Sequence, residues 1–472
     1  MNLNPQHELA IRCINRTDIS LFLTGKAGTG KTTFLKNLKD TCEKRFVVVA
    51  PTGIAAINAG GVTIHSMFQL PPEPYFPDIP ELRTEYQTIK FRKMQKFKTK
   101  MLRDLQLLVI DEVSMVRADL MDAISDTLKR MRNNDMPFGG VQLLLIGDLY
   151  QLPPVVTERE QEYMDRVYKS PFFFSSKAIR ELIVDNRLEM IELQTIYRQT
   201  DPVFINILNK FRDNQVDIDT LRKINERVNA EVGDAIALVT HNRMAQTIND
   251  DNLRMLDGES NIYDARVEGE FPESMMPMDQ RIEIRVGEKV MFMKNDSSVE
   301  KRYYNGKIGY VTGFDYTEDV DRIVVKCPGD DNEIYVGREC WENVKYIQAT
   351  NSKDIERVTV GMFEQYPLKP AWAVTIHKAQ GLTFDKVNVD AGYAFAFGQV
   401  YVALSRCRSL EGLSLASPIK FSNVFTNQFV NNFFRYFKDV DATIRHICEK
   451  SGDSPIIIED YIAKAHEISW IH

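Results

Sequence analysis

The chain has 472 residues, with 59 Lys and Arg against 66 Asp and Glu and a formal net charge of −7. That length exceeds what one core serves, so two or more domains are expected, and the ordinary composition holds no apolar run approaching a membrane span. Six scattered cysteines (Cys13, Cys42, Cys327, Cys340, Cys407, Cys448) lack the paired spacing of a zinc site or a disulfide framework, which points to a reducing compartment.

The first residues, Met1-Asn-Leu-Asn-Pro-Gln-His7, show neither a basic start before an apolar segment nor an Arg- and Ser-rich transit pattern. A bacterial cytoplasmic protein is expected, or a catalytic core trimmed from something larger, nuclear or mitochondrial in that case. Leu21-Phe22-Leu23 reads as a buried strand, and Thr33-Phe34-Leu35-Lys36-Asn37-Leu38 opens a helix. Between them stands Gly25-Lys26-Ala27-Gly28-Thr29-Gly30-Lys31-Thr32, a complete phosphate-binding loop in the strand–loop–helix context that this chemistry needs. Its glycines let backbone N–H groups close around phosphate oxygens, and the helix N-terminus adds partial positive charge. Lys31 is expected on the β- and γ-phosphates and the Thr32 hydroxyl on Mg²⁺, with Thr33 following in the same turn. The chain is therefore expected to bind a nucleoside triphosphate with Mg²⁺.

Phe46-Val-Val-Val-Ala50 is a second strand run, ending in Pro51-Thr52-Gly53. Residues 63–103 then interrupt the α/β pattern. They pass from His65-Ser66-Met67-Phe68 through the proline cluster Pro71-Pro72-Glu73-Pro74 into a basic run holding Arg83, Lys90, Arg92, Lys93, Lys96, Lys98, Lys100 and Arg103. Such local charge attracts a polyanion whatever the net charge, although a solvated helix face explains it equally well. Leu105-Gln-Leu-Leu-Val-Ile110 is a third strand run, closing in Asp111-Glu112, where Asp111 suits Mg²⁺ and Glu112 the activation of water. A helical pattern covers Asp119 to Met131. Val141-Gln-Leu-Leu-Leu-Ile146 leads to Gly147-Asp148-Leu-Tyr-Gln151-Leu-Pro-Pro154, in which Gln151 can bond the γ-phosphate or its attacking water. Strand runs alternating with helices read as α/β architecture with parallel sheets.

The same pattern recurs later without a second phosphate loop. Ala235-Ile-Ala-Leu-Val239 ends in Thr240-His241-Asn242, and Trp372-Ala-Val-Thr-Ile376 in His377-Lys-Ala-Gln380-Gly381. Lys386-Val-Asn-Val-Asp390 precedes Gly398-Gln-Val-Tyr-Val-Ala-Leu-Ser405-Arg406-Cys-Arg408. One lobe with the nucleotide and a second supplying charge across a cleft is what a two-lobed motor shows, and Arg198 and Arg406 are the candidates for that charge. Between these segments, residues 296–368 read as a small β-barrel insertion. Ile308–Thr312, Arg322–Lys326 and Glu333–Val336 have strand character, with turns at Asn305-Gly306 and Pro328–Asn332. The tail carries Phe421, Phe425, Phe429, Phe433, Phe434 and Phe437 at spacings expected to pack on the second lobe.

Gly25–Thr32, Pro51–Ala55, Thr63-Ile-His65-Ser66, Asp111–Met115, Gly147–Pro154, Tyr197-Arg198-Gln199, Val374–Thr383 and Val402–Arg408 occur in one order. That ordered set resembles the helicase motifs of superfamily one, 5′-to-3′ branch. The stretch from Leu128 to Asp148 is similar to the signature segment of the PIF (petite integration frequency) DNA helicases. The resemblance covers roughly residues 1–425.

The resemblance implies two RecA-like domains with ATP between them and single-stranded DNA across both, translocation toward the 3′ end, and unwinding of tailed duplex. It extends to four-stranded guanine structures and RNA–DNA hybrids. It adds Gln380 and Gly381 to the nucleotide cleft. It also implies an adenine-reading glutamine near the N-terminus, where His7 holds the best register and Gln6 stands beside it as the candidate. Strand contacts are implied at Pro51, Thr52, Thr63, His65, Phe68, Thr240, His241, Asn242, Lys294, Thr375, His377 and Lys378, with Tyr75 a further aromatic candidate. The expected domains are a first RecA-like unit (1–62 and 104–185) with a wedge insertion (63–103), and a second (186–295 and 369–425) with an SH3-like insertion (296–368). A helical segment (426–472) follows, and a monomer is expected. A strand-stimulated ATPase that remodels nucleoprotein or acts on RNA, and a nucleotide-gated binding protein, remain the alternatives.

Overall fold

Ser20–Gly25 is a run of six buried residues, and a strand buried on both faces belongs inside a parallel sheet covered by helices. The computed structural model describes residues 4–71, 73–76, 96–199, 201–298, 300–316, 321–348, 354–390, 398–424, 427–437 and 439–469. Arg83, Lys90, Arg92 and Lys93 of the basic run, the cluster's Pro72, and Phe425 lie outside the described residues.

Six strands form the first sheet: β1 (Ser20–Gly25), β2 (Phe46–Ala50), β3 (Val62–Thr63), β4 (Leu107–Ile110), β5 (Gln142–Ile146) and β6 (Leu188–Leu193). Their order is β3-β2-β4-β5-β1-β6 and every pairing is parallel. The strand runs read from the sequence fall on β1, β2, β4 and β5. β6 corrects the expected boundary at 185, because Ser20 to Gly25 pair along its whole length with Leu188 to Leu193 and draw it into the first sheet.

The chain then forms β7 (Ile236–Val239) and leaves for an antiparallel insertion. Its strands are β8 (Ser260–Asp264), β9 (Arg266–Gly269), β10 (Arg281–Arg285), β11 (Lys289–Phe292), β12 (Ile308–Asp315), β13 (Arg322–Lys326), β14 (Ile334–Val336), β15 (Glu339–Gln348), β16 (Ile355–Gln365) and β17 (Leu368–Pro370). They make a five-stranded sheet β14-β13-β12-β11-β17, a sheet β15-β16-β9 and the pair β10-β8. The insertion thus runs from about residue 260, not 296, since β11 pairs with both β12 and β17. The chain returns as β18 (Ala373–Thr375), β19 (Val387–Val389) and β20 (Leu413–Leu415), giving a parallel second sheet β18-β7-β19-β20. Two α/β lobes with parallel sheets and an antiparallel insertion are the fold class expected from the sequence.

The C-terminal helices depart from expectation. Val430, Phe433 and Phe437 enter the first lobe's core, where Phe433 stacks on Phe174 at 4.4 Å and meets Phe22 at 5.9 Å. The helix Val440–Lys450 follows onto β6, where the Thr443 hydroxyl and His446 Nδ1 lie 2.7 and 2.6 Å from the Glu189 carboxylate. These aromatics pack on the first lobe rather than the second because its sheet face, around Phe22 and Phe173, is the apolar surface left open to them.

Inside the insertion, Glu288 is fully buried. Its Oε2 accepts the Arg285 N–H at 3.0 Å and its Oε1 has no hydrogen-bond partner among the described residues. Burial pushes this carboxyl up to about 7, while the unfolded chain keeps an ordinary value. Between those values the folded state holds a proton that the unfolded state has lost, so the penalty for burying the charge is present above pH 7 and disappears as pH falls. Glu288→Gln is expected to raise the melting temperature by roughly 2–4 °C at pH 8 and by less than about 1 °C at pH 5. Thermal melts at the two pH values check this, and an equal shift at both contradicts it.

Candidate active site

Strands β4, β5, β1 and β6 are neighbours, and their carboxyl ends deliver the first lobe's polar loops to one place. After β1 comes the phosphate loop, which ends at Gly30 with φ 89°, left-handed, as the cap of helix Lys31–Thr41. Gly28 is also left-handed, at φ +85°, and a Cβ there would lie 2.4 Å from the Arg198 Cβ. Its carbonyl accepts the Tyr197 N–H at 2.9 Å, so the segment after β6 lies directly on the phosphate loop. Thr29 is buried, with its hydroxyl on the Lys26 carbonyl, and Thr32 and Thr33 are exposed at the start of the helix.

Lys31 Nζ donates to the carbonyls of Gly25 at 2.6 Å and Lys26 at 3.1 Å. Burial pushes this ammonium down, against the pull of Asp148 and Glu112. Asp111 and Glu112 follow β4. Burial raises Asp111 to about 6, and burial together with Asp111 raises Glu112 to about 7. Glu112 has a left-handed backbone at φ 50°, a conformation that costs a side-chain-bearing residue about 1–3 kcal/mol and tends to collect at working residues. Beyond β5, Asp148 Oδ2 accepts the Gln151 amide at 3.2 Å.

The second lobe meets these groups. Gln380 Nε2 lies 3.2 Å from both the Glu112 carboxylate and Gln151 Oε1. Arg198 Nη2 donates to the Gly381 carbonyl at 3.1 Å, while its Nη1 is buried with no hydrogen-bond partner among the described residues. Arg406 is 1% exposed and donates to the carbonyls of Val402 and Leu382 and to the Ser405 hydroxyl at 2.8–3.2 Å. Burial and the neighbouring Arg198 push its guanidinium down to about 9. A buried Arg406, a half-buried Arg198 with one orphaned nitrogen and a lysine held by carbonyls suit a triphosphate between the lobes. The hydroxyl of Thr32 and the carboxylate of Asp111 are hard oxygen donors that suit Mg²⁺.

Sequence reasoning passed over Tyr401, whose hydroxyl accepts the Ala27 N–H at 3.0 Å, and Arg212, which is paired with Asp148 and Glu192. Tyr401 stands inside a quoted motif, whereas Arg212 ends an unremarked helix. Gln6 has both ends of its amide on backbone, donating to the Glu192 carbonyl at 2.7 Å and accepting from Gln194 N at 3.0 Å. In the same turn, the buried Nε2 of His7 has no hydrogen-bond partner among the described residues, and the ring packs edge-on to Phe34.

The strand candidates gather along the carboxyl edges of both sheets. Pro51 and Thr52 follow β2, beside Thr63 at the end of β3 and His65 just beyond it, and Thr52 and Thr63 cap short helices through their hydroxyls. Thr240, His241 and Asn242 follow β7, beside Thr375, His377 and Lys378 at β18, and His241, Asn242, His377 and Lys378 are exposed. Two candidates stand apart. Phe68 is 1% exposed within the first lobe's core, because its short helix turns it inward, so it offers no face to a base. Lys294 Nζ is held by Glu339 at 3.0 Å and the Cys340 carbonyl, over the Trp341 ring, which leaves its charge already paired. Tyr75 bonds Asp126 through its hydroxyl at 2.8 Å.

Gly28→Ala is expected to lower ATP turnover at least about tenfold, because the new methyl forces Arg198 off the phosphate loop. Steady-state phosphate release, with circular dichroism to confirm folding, checks it. Near-normal turnover contradicts the contact.

A family profile described as PIF1-like helicase matches residues 5–222. The human ATP-dependent DNA helicase PIF1 is 33% identical over 405 residues, covering 84% of this chain and 58% of that protein. The Psychrobacter ATP-dependent DNA helicase Pif1 is 31% identical over 457 residues, covering 85% and 66%. The chain thus spans somewhat less than two thirds of these relatives. Bacteroides sp. Pif1 in complex with ADP-AlF4 superposes with a TM-score of 0.83 at 39% identity, covering 93% of this chain and 97% of that one. Unliganded Bacteroides Pif1 gives 0.82, and the form bound to ssDNA 0.63. With the phosphate loop, paired carboxylates and cross-cleft arginines assembled on the same two-lobed frame, the chain belongs to the PIF1-like helicase family.

Proposed function

We propose that this chain is an ATP-driven DNA helicase that moves 5′-to-3′ along single-stranded DNA and separates tailed duplex. The observation that carries the reading is Gln380, a second-lobe residue within hydrogen-bond distance of Glu112 and Gln151 on the first. Hydrolysis chemistry and the relative position of the lobes therefore share one set of hydrogen bonds. The relatives named above as DNA helicases support the substrate class, and the Bacteroides form bound to ssDNA supports a strand partner.

In this reading the phosphate loop and Lys31 bind the triphosphate, exchanging the carbonyls that Lys31 now contacts for phosphate oxygens. Mg²⁺, held by Thr32 and Asp111, supplies charge neutralisation on the phosphates when bound. Glu112 takes the proton of the attacking water, and Gln151 and Gln380 hold that water in line. Arg198 and Arg406 balance the charge that develops during transfer, a contribution of about three to five powers of ten in related phosphoryl transfers. Cleft closure moves the strand-end groups after β2 and β3 relative to those after β7 and β18, which advances one strand. Four-stranded guanine structures and RNA–DNA hybrids are further proposed substrates, and a monomer in the bacterial cytoplasm is the proposed working form.

The unwinding test uses 5′-tailed, 3′-tailed and all-RNA duplexes, with phosphate release measured with and without single-stranded DNA. Only the 5′-tailed DNA is expected to be unwound, with turnover stimulated by the strand. Unwinding confined to the 3′-tailed duplex rejects the polarity, and unstimulated turnover rejects the motor. Glu112→Gln is expected to keep ATP binding within about threefold while turnover falls at least about 100-fold. Nucleotide titration beside the rate assay separates the two effects.

A further inference from the structure

Arg212 ends the helix Pro202–Arg212, whose Phe204, Ile207, Leu208 and Phe211 pack in the second lobe's core. Its guanidinium nevertheless lies in the first lobe, with its side chain 4% exposed. Nη2 is 2.8 Å from the Glu192 carboxylate of β6, and Nε is 3.5 Å from Asp148, whose side chain is fully buried. The Tyr150 ring covers the guanidinium at 4.7 Å. Burial alone would push this guanidinium down, but Asp148 and Glu192 hold it well above its ordinary value.

Asp148 is the link to chemistry. A carboxylate only accepts hydrogen bonds, so the Gln151 side chain must turn its NH₂ toward Asp148. That choice leaves Gln151 Oε1 facing the NH₂ of Gln380, which also lies against Glu112. The polarity of the chain from Asp148 to Glu112 is thus set at its Asp148 end. A buried carboxylate deprived of its counter-charge must move toward another cation or be neutralised, and either change releases the amide.

We propose that Arg212 is a positioning residue for ATP hydrolysis, reaching from the second lobe to fix Asp148 and, through it, the direction of the Gln151 amide beside Glu112. In this role Arg212 acts through Asp148, to which it is paired, and not on the reacting atoms. It rides on the second lobe, so it ties the alignment of the water-holding groups to the distance between lobes. Its Nε and Nη2 approach their carboxylates without hydrogen-bond alignment, which leaves room for the contacts to tighten as the cleft closes.

This role rests on the proposed ATPase reading, and its test is built to fail separately. ATP turnover with saturating oligonucleotide and the affinity for a fluorescent ADP analogue are measured for the unsubstituted chain, Arg212→Met, Arg212→Lys, Gln151→Ala and the double variant Arg212→Met/Gln151→Ala. Arg212→Met is expected to lower kcat about tenfold or more with analogue affinity kept within about threefold, and Arg212→Lys to recover part of the loss. The double variant is expected to fall no more than about twofold below the slower single variant, because both changes break one chain. Losses that multiply independently, or an Arg212→Met enzyme with normal kcat, overturn the positioning role while leaving the ATPase intact. If Arg212→Met does not fold, Arg212→Met/Asp148→Asn removes both charges. Low kcat in that variant supports the role and normal kcat overturns it. No turnover by the unsubstituted chain overturns the ATPase reading and this role together.

Discussion

Four basic side chains and three carboxylates occupy the seam between two parallel sheets, and burial makes each charge costly to leave unmatched. Asp148 is matched from the other lobe by Arg212, but Arg406 and Lys31 spend their hydrogen bonds on carbonyls and a hydroxyl, and one nitrogen of Arg198 has none among the described residues. Asp111 and Glu112 stand side by side with raised proton affinity. Such a seam is short of a polyanion and a small cation together. The sheets follow from the same constraint, because parallel strands expose their loops at one edge and two such edges are needed to enclose a triphosphate.

The lobes are joined by more than the seam. Strands β15 and β16 extend from the insertion to the first lobe, where Val344 and Tyr346 enter the core of the first sheet. The Tyr346 hydroxyl accepts the Val48 N–H at 3.1 Å, on a strand whose neighbour β3 is only two residues long. A short neighbour leaves backbone groups unpaired, and a side chain arriving from the other lobe answers one of them.

The parts of the chain that were legible in sequence are those in which local pattern and tertiary role agree. Apolar runs of three to five residues lie inside the sheets at β1, β2, β4 and β5, and the loops that follow them carry the motifs. β6 escaped notice because Leu-Glu-Met-Ile-Glu-Leu carries two carboxylates. Those are the groups that later receive Thr443 and His446 on one side and Arg212 on the other. No local rule announces partners so far along the chain. Phe68 and Lys294 failed as strand contacts for the same reason, since a core and an ion pair built elsewhere claim them. The start of the insertion was misplaced because β8 to β11 look like any edge strands until β12 and β17 pair with β11.

The aromatic helix Gln428–Tyr436 seals the face of the strand that leads into the phosphate loop, through Phe433 against Phe22 and Phe173. On the ribosome, Phe22 emerges long before Phe433 exists, so the nascent first lobe carries a greasy, unfinished surface through most of translation. The packing that covers this face is therefore complete only once the chain beyond the antiparallel insertion has been made.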